Sequence, residues 1–533
     1  MGLGTDPALA YPPPMQPTRL PLLLALLLAV ASPARAEVIE ADPGDDIEAL
    51  MNALNPGDEL VLHGGTYNRT DLFQVSIVGT AAAPIVVRAA DGERPVITRP
   101  DAGQNNFNIQ RGEYVTFLGI EFRGGSAGVR VMSARFLTIE DCEIHESDDV
   151  ALRMNDGGAR YEAVRILRNH IHDTGGTGEG MYLGCNSNGC QVFDSLIEGN
   201  YVHDTNAGDV SQGDGIELKE GSYNNIIRRN VIHDTNYPCI LTYSVVGNGG
   251  PNIIEENVMW GCGDMGIQSA ADAVIRNNII LSAGANGIGC QPHQAGTPSN
   301  LVIVNNTVLD SDGSALRVSG ATGSLIIANN ALYTSGGTAL NLGGDLSTLT
   351  LIGNVVQGSV SGASGGTTTG SLAADFAAAS FSGTVPNDVF PTTGGALAGT
   401  GSMAHLPPVD FNGTARTTAD VGAYQVGASN PGWVLMPGFH IRTTMPGTDA
   451  GMNADAGVLP GTDGGPGSDG GTTGIDTGTA RADAGTEPPV DGGCSCRVGH
   501  RSPTGALLAL TALALALALV TRRRRSRSRT TLL

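Results

Sequence analysis

The sequence predicts an all-β fold, a solenoid of short parallel strands, and three observations carry that prediction. The first is a recurring motif, Asn-x-[Ile/Val]-His-[Asp/Glu]. It reads Asn169-His170-Ile171-His172-Asp173, Asn200-Tyr201-Val202-His203-Asp204 and Asn230-Val231-Ile232-His233-Asp234. Cys142-Glu143-Ile144-His145-Glu146 precedes them with cysteine in the asparagine slot, and Asn257, Asn278, Asn306, Asn330 and Asn354 continue the series without histidine. The second is the spacing: successive motifs stand 27, 31, 30, 27, 21, 28, 24 and 24 residues apart, the length of one solenoid rung. The third is that each unit holds only short β-branched runs, such as Ile216-Glu217-Leu218 and Ile226-Ile227-Arg228. Such runs are too short for paired helices and suit stacked parallel strands. One asparagine per rung, just before an apolar strand, suggests an internal ladder of stacked amides that satisfies the turn backbone.

On these residues the chain resembles the right-handed parallel β-helix family, the pectin-lyase-like group that includes secreted polysaccharide lyases. The resemblance covers roughly residues 37 to 426 and is specific for the fold rather than for an activity.

Taken in order, the N-terminus has the pattern of a secretory signal. Arg19 precedes an apolar run from Leu20 to Ala31, and Ala34-Arg35-Ala36 is a small-x-small cleavage site, which leaves a mature chain from Glu37. Gly44 to Leu54 has helical period with acidic residues in its first turn. We read it as a cap over the open end of the solenoid, an edge that must be shielded from pairing. Pro56 to Tyr67 and Gly79 to Ala89 open the first coils and resemble the entry of secreted β-helix proteins. Residues 358 to 408 are rich in Gly, Ser, Thr and Ala and read as looser terminal coils. Asp410-Phe411-Asn412-Gly413 and Asp420-Val421-Gly422-Ala423-Tyr424 resemble the closing segment of such chains.

Residues 427 to 492 form an extension and linker, and from 446 the composition is that of a flexible acidic spacer. Residues 505 to 521 are an apolar stretch near the lower limit of a membrane span, followed by Arg522 to Arg525, whose charge places that end in the cytoplasm. One reading is a permanent anchor. The order Cys494-Ser495-Cys496, apolar span, arginine cluster also resembles the C-terminal sorting tail of myxobacterial surface proteins. That resemblance implies processing near Cys494 and Cys496 and transfer to the outer surface.

A net charge of -22, from 52 acidic and 30 basic residues, argues against nucleic acid as a partner. Export would permit disulfides, and Cys185 and Cys190 are spaced to close a local loop. Cys142 and Cys239 read as small buried residues of the coil stack, as Cys262 and Cys290 do too. No CxxC spacing suggests a cysteine metal site.

Matching apolar pairs align one strand face. Val150/Leu152, Met181/Leu183, Ile216/Leu218, Ile240/Thr242 and Ile267/Ser269 would point inward on successive coils. One outward column then reads Ala151, Tyr182, Glu217, Leu241, Gln268, and the next reads Arg153, Gly184, Lys219, Tyr243, Ala270. Arg153, Tyr182, Glu217 and Gln268 are candidate substrate-binding residues. Just before the strand run Asp148, Glu179 and Asp214. Carboxylates stacked about 4.8 Å apart repel one another, so a hard cation such as calcium would fit among them. Alternatively these acids only shape the turns.

Lys219 is the only lysine in the chain. A uronate lyase needs a base for the proton α to the carboxylate, positive charge for the enolate and an acid for the leaving oxygen. Lys219, a cation and Tyr243 could fill those roles, because lysine can be made a base by burial and arginine cannot. The plainer reading is an exposed Glu217–Lys219 pair worth about 0–1 kcal/mol. Asp214 to Gly221, with Asn224, looks like the acidic-strand-lysine segment of alginate- and chondroitin-cleaving β-helix lyases. There a lysine base follows calcium-holding acids. The arginine those enzymes carry on the following coil is Tyr243 here.

His145, His172, His203 and His233 would stack as an outward column beside Glu146, Asp173, Asp204 and Asp234. The column reads either as a structural ladder or as a metal- or pH-sensitive one. Together these features predict an exported cell-surface protein that binds polysaccharide along one strand face, with β-elimination of a uronate polymer as its candidate chemistry. The alternatives are a non-catalytic adhesive or carbohydrate-binding scaffold, and a glycoside hydrolase using Asp214 and Glu217.

Overall fold

The computed structural model describes residues 36–428 and 435–440. The signal sequence, most of the linker, and the Cys494/Cys496 and 505–521 tail lie outside the described residues. Among the described residues no helix is long and apolar enough to cross a membrane.

Each coil contributes three short strands, and each strand pairs in parallel with its counterpart on the next coil. In the first sheet Leu152, Met181, Ile216, Ile240 and Ile267 stand in register. In the second, Ile166, Ile197, Ile227 and Ile254 do so. In the third the register runs Ile144, Ile171, Val202, Ile232, Met259. These inward residues are fully buried and form one continuous core along the stack. Strand alternation sends the residues between them outward.

The asparagine ladder sits at the tight turn between the second and third sheets. Asn200 Nδ2 donates to Asn230 Oδ1 at 2.9 Å, Asn230 Nδ2 to Asn257 Oδ1 at 2.9 Å, and Asn257 Nδ2 to Asn278 Oδ1 at 3.0 Å. Each backbone N–H donates to the same oxygen of the next rung, as Asn230 N does to Asn257 Oδ1 at 3.0 Å. The ladder continues to Asn354. The residue before each asparagine is left-handed, for example Arg168 (φ 50°), Arg229 (φ 59°) and Glu256 (φ 57°). That conformation is costly for residues other than glycine, and the buried amide bonds hold it. This turn is constant from coil to coil, so the unequal motif spacing is absorbed in the other turns. Cys142, in the asparagine slot, keeps the backbone bond to Asn169 Oδ1 at 3.0 Å.

A helix forms where the cap is expected, but shorter than its sequence pattern: it is Ile47–Ala53, started by Asp46, whose side chain accepts from Ala49 N at 3.1 Å. Ile47 and Met51 are buried, and Asn52 bonds the backbone of Gln74 and Ser76, which covers that strand.

The other end departs from expectation. Coiling stops at the short strand Thr367–Thr369 rather than continuing as loose coils to about 426. The chain then turns back along the outside of the third sheet. Phe376, Val389, Phe411, Val421 and Tyr424 pack on the outward residues Val258, Trp260, Leu281 and Tyr333. Tyr333 donates its hydroxyl to Asp375 Oδ2 at 2.7 Å, and Asn305 Nδ2 donates to Asp420 O at 2.9 Å.

Cys185–Cys190 is a disulfide. A second bridge joins Cys239 to Cys262, which corrects the reading of both as free core residues. Cys142 and Cys290 are buried free thiols.

Candidate functional site

The first sheet brings Lys219, Glu217 and Tyr243 together from neighbouring coils. Glu217 lies outward on the strand Ile216–Leu218, Lys219 follows it, and Tyr243 follows the strand Ile240–Thr242 one coil on. Lys219 Nζ donates to Glu217 Oε1 at 2.8 Å and contacts the Tyr243 hydroxyl at 3.1 Å. That hydroxyl donates to the same Glu217 oxygen at 2.9 Å. The ammonium also faces the rings of Tyr182 and Tyr243, 5.1 and 4.5 Å from their centroids. The exposed surface pair is therefore excluded: Glu217 is 1% and Lys219 4% exposed. Burial, then the charge of Glu217, pushes the Tyr243 phenol far above its ordinary pKa.

Gly184 leaves no open room beside the lysine, because a Cβ there would stand 3.1 Å from the Cβ of Lys219. On the far side a turn folds over the site. His293 stacks on the Tyr243 ring at 5.1 Å, and the Gln294 amide reaches both the Tyr243 hydroxyl and the buried Glu220 carboxylate.

The acidic column differs from its prediction in one member. Leu152 pairs with Met181, so the coil position equivalent to Glu179 and Asp214 is Val150. Asp148 lies two residues earlier and is exposed on the turn. The cluster that forms is Glu179, Asp214 and Glu217, whose nearest oxygens lie within 4.8 Å of one another. Both oxygens of Glu179, both of Asp214 and Oε2 of Glu217 are buried with no hydrogen-bond partner among the described residues. Burial, then the neighbouring Glu217 carboxylate, raises the Glu179 pKa to about 7 and drives that of Asp214 well up. Five orphaned carboxylate oxygens in one buried cluster fit a hard divalent cation, which takes oxygen ligands and offsets their repulsion.

The same shift of two residues moves Arg153 into the column of Tyr182, Glu217, Leu241 and Gln268, in place of Ala151. The four candidate substrate-binding residues thus share one column. Arg153 and Tyr182 are half-buried and Gln268 is buried. Arg130, which the sequence reading missed, precedes Arg153 in register and pairs with Asp156. The covering residues His293 and Gln294 were missed as well, since nothing local marks a polar turn as the cover of a distant strand.

The histidines stack as a column on the third sheet. Ring centroids of His145/His172, His172/His203 and His203/His233 are 4.9, 5.0 and 5.0 Å apart and near parallel, and Trp260 closes the stack on His233 at 4.5 Å. Nδ1 of His172, His203 and His233 each lies 2.7 Å from the following aspartate. His170 stands beside the column. Burial and the facing imidazoles lower its pKa to about 3.

Residues 29–249 match the family model described as "Pel9A-like, right handed beta helix region", and residues 194–332 match "Right handed beta helix region". Pectate lyase PEL9 of Emericella nidulans is 32% identical over 106 residues, 17% of this chain. The chain spans about a quarter of that relative's length (26%). Among solved structures, an alginate lyase from a Paenibacillus species is 18% identical, covering 62% of this chain and 99% of that one, with a TM-score of 0.39. Pectate lyase Pel9A is 17% identical, covering 74% and 97%, with a TM-score of 0.44. At these scores the structural likenesses carry no argument about the site. With the register above, the matches to β-helix models agree on the architecture: the chain folds as a right-handed parallel β-helix.

Proposed function

We propose that this is an exported, surface-displayed β-helix protein that binds a uronate-rich polysaccharide on its first sheet and cleaves it by β-elimination. The observation that carries this reading is the cluster of Glu179, Asp214 and Glu217, with orphaned oxygens, touching the lone lysine and Tyr243. A divalent cation, calcium by its preference for oxygen donors, would be held by these three carboxylates and would supply charge for an enolate. The half-buried Arg153 and Tyr182, with Arg130 before them, offer charge and a ring face to an acidic sugar chain.

In the reaction, Lys219 would act as the base that takes the proton α to the uronate carboxylate. The bond to the leaving oxygen breaks as the ring double bond forms, and Tyr243 gives the proton that the leaving oxygen requires. The 291–297 turn, which now covers Tyr243 through His293 and Gln294, would have to lift for a sugar to reach the lysine. Matches to family models named for β-helix regions and to a pectate lyase support the carbohydrate-active reading, and the two disulfides suit an oxidising compartment.

One observation favours a second reading, a non-catalytic carbohydrate-binding or adhesive scaffold: Lys219 is closed over at 4% exposure. The hydrolase alternative is weaker. Oxygens of Asp214 and Glu217 lie within 4.8 Å, closer than the about 6.5–9.5 Å of inverting and the about 5–5.5 Å of retaining enzymes, and both acids are buried. The test is a panel of uronate polysaccharides with and without calcium, followed by the ultraviolet absorbance of the unsaturated product. Calcium-dependent signal that vanishes in Lys219→Ala supports the lyase. Binding without elimination on every uronate assigns the scaffold.

A further inference from the structure

The third sheet carries a second constellation, on a different face from Lys219 and independent of the proposal above. Each of three neighbouring imidazoles has a carboxylate beside its Nδ1. His172 Nδ1 lies 2.7 Å from Asp173 Oδ2, His203 Nδ1 2.7 Å from Asp204 Oδ2, and His170 Nδ1 3.4 Å from Glu143 Oε1. If His172 and His203 carry the Nδ1 proton to their aspartates, the Nε2 of each is left as a lone pair. Those lone pairs converge. His170 Nε2 and His203 Nε2 are 2.8 Å apart, His172 Nε2 lies 3.0 Å from Glu143 Oε1, and one ligand atom of each histidine falls within 4.8 Å of the others. The His203 lone pair facing His170 Nε2, and the His172 lone pair facing a carboxylate oxygen, call for a proton or a metal ion among them. A carboxylate hydrogen-bonded to the far nitrogen, as on His172 and His203, is the arrangement that orients histidines toward a metal and raises their basicity.

We propose that His170, His172 and His203 form a binding site for a borderline-soft transition-metal dication of the zinc class. Three imidazole nitrogens with a fourth position open to solvent are a donor set such ions favour, and one that calcium, which prefers all-oxygen sites, does not. The positions are rigid, because His172 and His203 are clamped in the ring stack and their backbones are paired in register. They are also reachable. His170 and Glu143 line a recess of about 270 Å³ together with Arg94, Arg168 and Phe439, and the His170 side chain is 30% exposed.

The test is cobalt(II) titration of the full chain in detergent, with calcium in excess to occupy oxygen-only sites. One equivalent should bind with the strong visible absorption of four-coordinate cobalt and be displaced by zinc. His170→Asn should lower affinity at least tenfold, and Asp204→Asn, which unclamps His203, should lower it about 10–100-fold. His293→Asn, on the other face, should change nothing. Zinc should raise the melting temperature of the parent chain and not of His170→Asn. That variant alters a partly exposed side chain outside the clamped stack, so it keeps the test sound if substitutions at His203 unfold the coil. Absence of cobalt binding, or binding undiminished in His170→Asn and Asp204→Asn, overturns the proposal.

Discussion

Asn257→Ala should cost about 4 kcal/mol, because it cuts the amide ladder at its centre. The side chain donates to Ile227 O at 2.9 Å and Asn278 Oδ1 at 3.0 Å, and accepts from Asn230 N at 3.0 Å and Asn230 Nδ2 at 2.9 Å. Asn230 Nδ2 keeps its bond to Ile197 O, but the Asn230 backbone N–H is buried and loses its acceptor. Orphaning that donor costs about 1–3 kcal/mol, and the three other lost bonds about 0.5–1.5 kcal/mol each, which brackets the expected value. The left-handed Glu256 before it also loses the contact that holds it. The assay is equilibrium denaturation in guanidinium chloride with the midpoint and slope both fitted. Tyr237→Ser, on an exposed turn, is the control and should fall within about 0.5 kcal/mol of the parent. A loss below about 1 kcal/mol for Asn257→Ala, at unchanged slope, would refute the view that the ladder holds the coils.

Three further outcomes follow from the same contacts. Glu179 titrates near 7 in the fold against an ordinary 4.5, so the native state binds its proton more tightly than the unfolded chain. Without added cation, the contribution of this group to stability is therefore full below about pH 4.5 and falls by roughly 3 kcal/mol as pH rises to 7, at about 1.4 kcal/mol per tenfold. Glu179→Gln or saturating calcium should flatten that slope in pH-dependent melting. Lys219→Met strands the buried Glu217 carboxylate and should cost about 3–5 kcal/mol by denaturant titration, much of it recovered in Lys219→Met/Glu217→Gln. Replacing both Cys239 and Cys262 by alanine opens a loop of 23 residues' separation and should lower stability by about 3 kcal/mol in non-reducing denaturation.

The ladder was readable in the sequence because a buried amide leaves both a fixed residue type and a fixed place before an apolar strand. Register was readable from Met181 onward for the same reason. It slipped by two on the preceding coil, where Val150, Leu152 and Met154 all carry the inward phase, so parity alone could not choose between them. That slip placed Asp148 in the acidic column and Arg153 one column off. The return of the chain over the third sheet was not readable, since Phe376, Val389, Phe411 and Tyr424 are scattered without period and their partners are coils far away in sequence. The Cys239–Cys262 bridge was hidden similarly: proximity there comes from stacking one coil on the next, which local spacing does not reveal. The contact of Lys219 with Glu217 and Tyr243 was predicted by column, while its burial was not, because the covering His293 and Gln294 lie on a turn some fifty residues beyond Tyr243.

The central claim is that Glu179, Asp214 and Glu217 hold a cation against Lys219. Calorimetric titration of the chelator-treated protein with calcium tests it most directly, run beside Glu179→Gln/Asp214→Asn. The account predicts one calcium bound by the parent at the carboxylate cluster and none there in the double variant. No calcium bound by the parent, or the same binding in both, would contradict it.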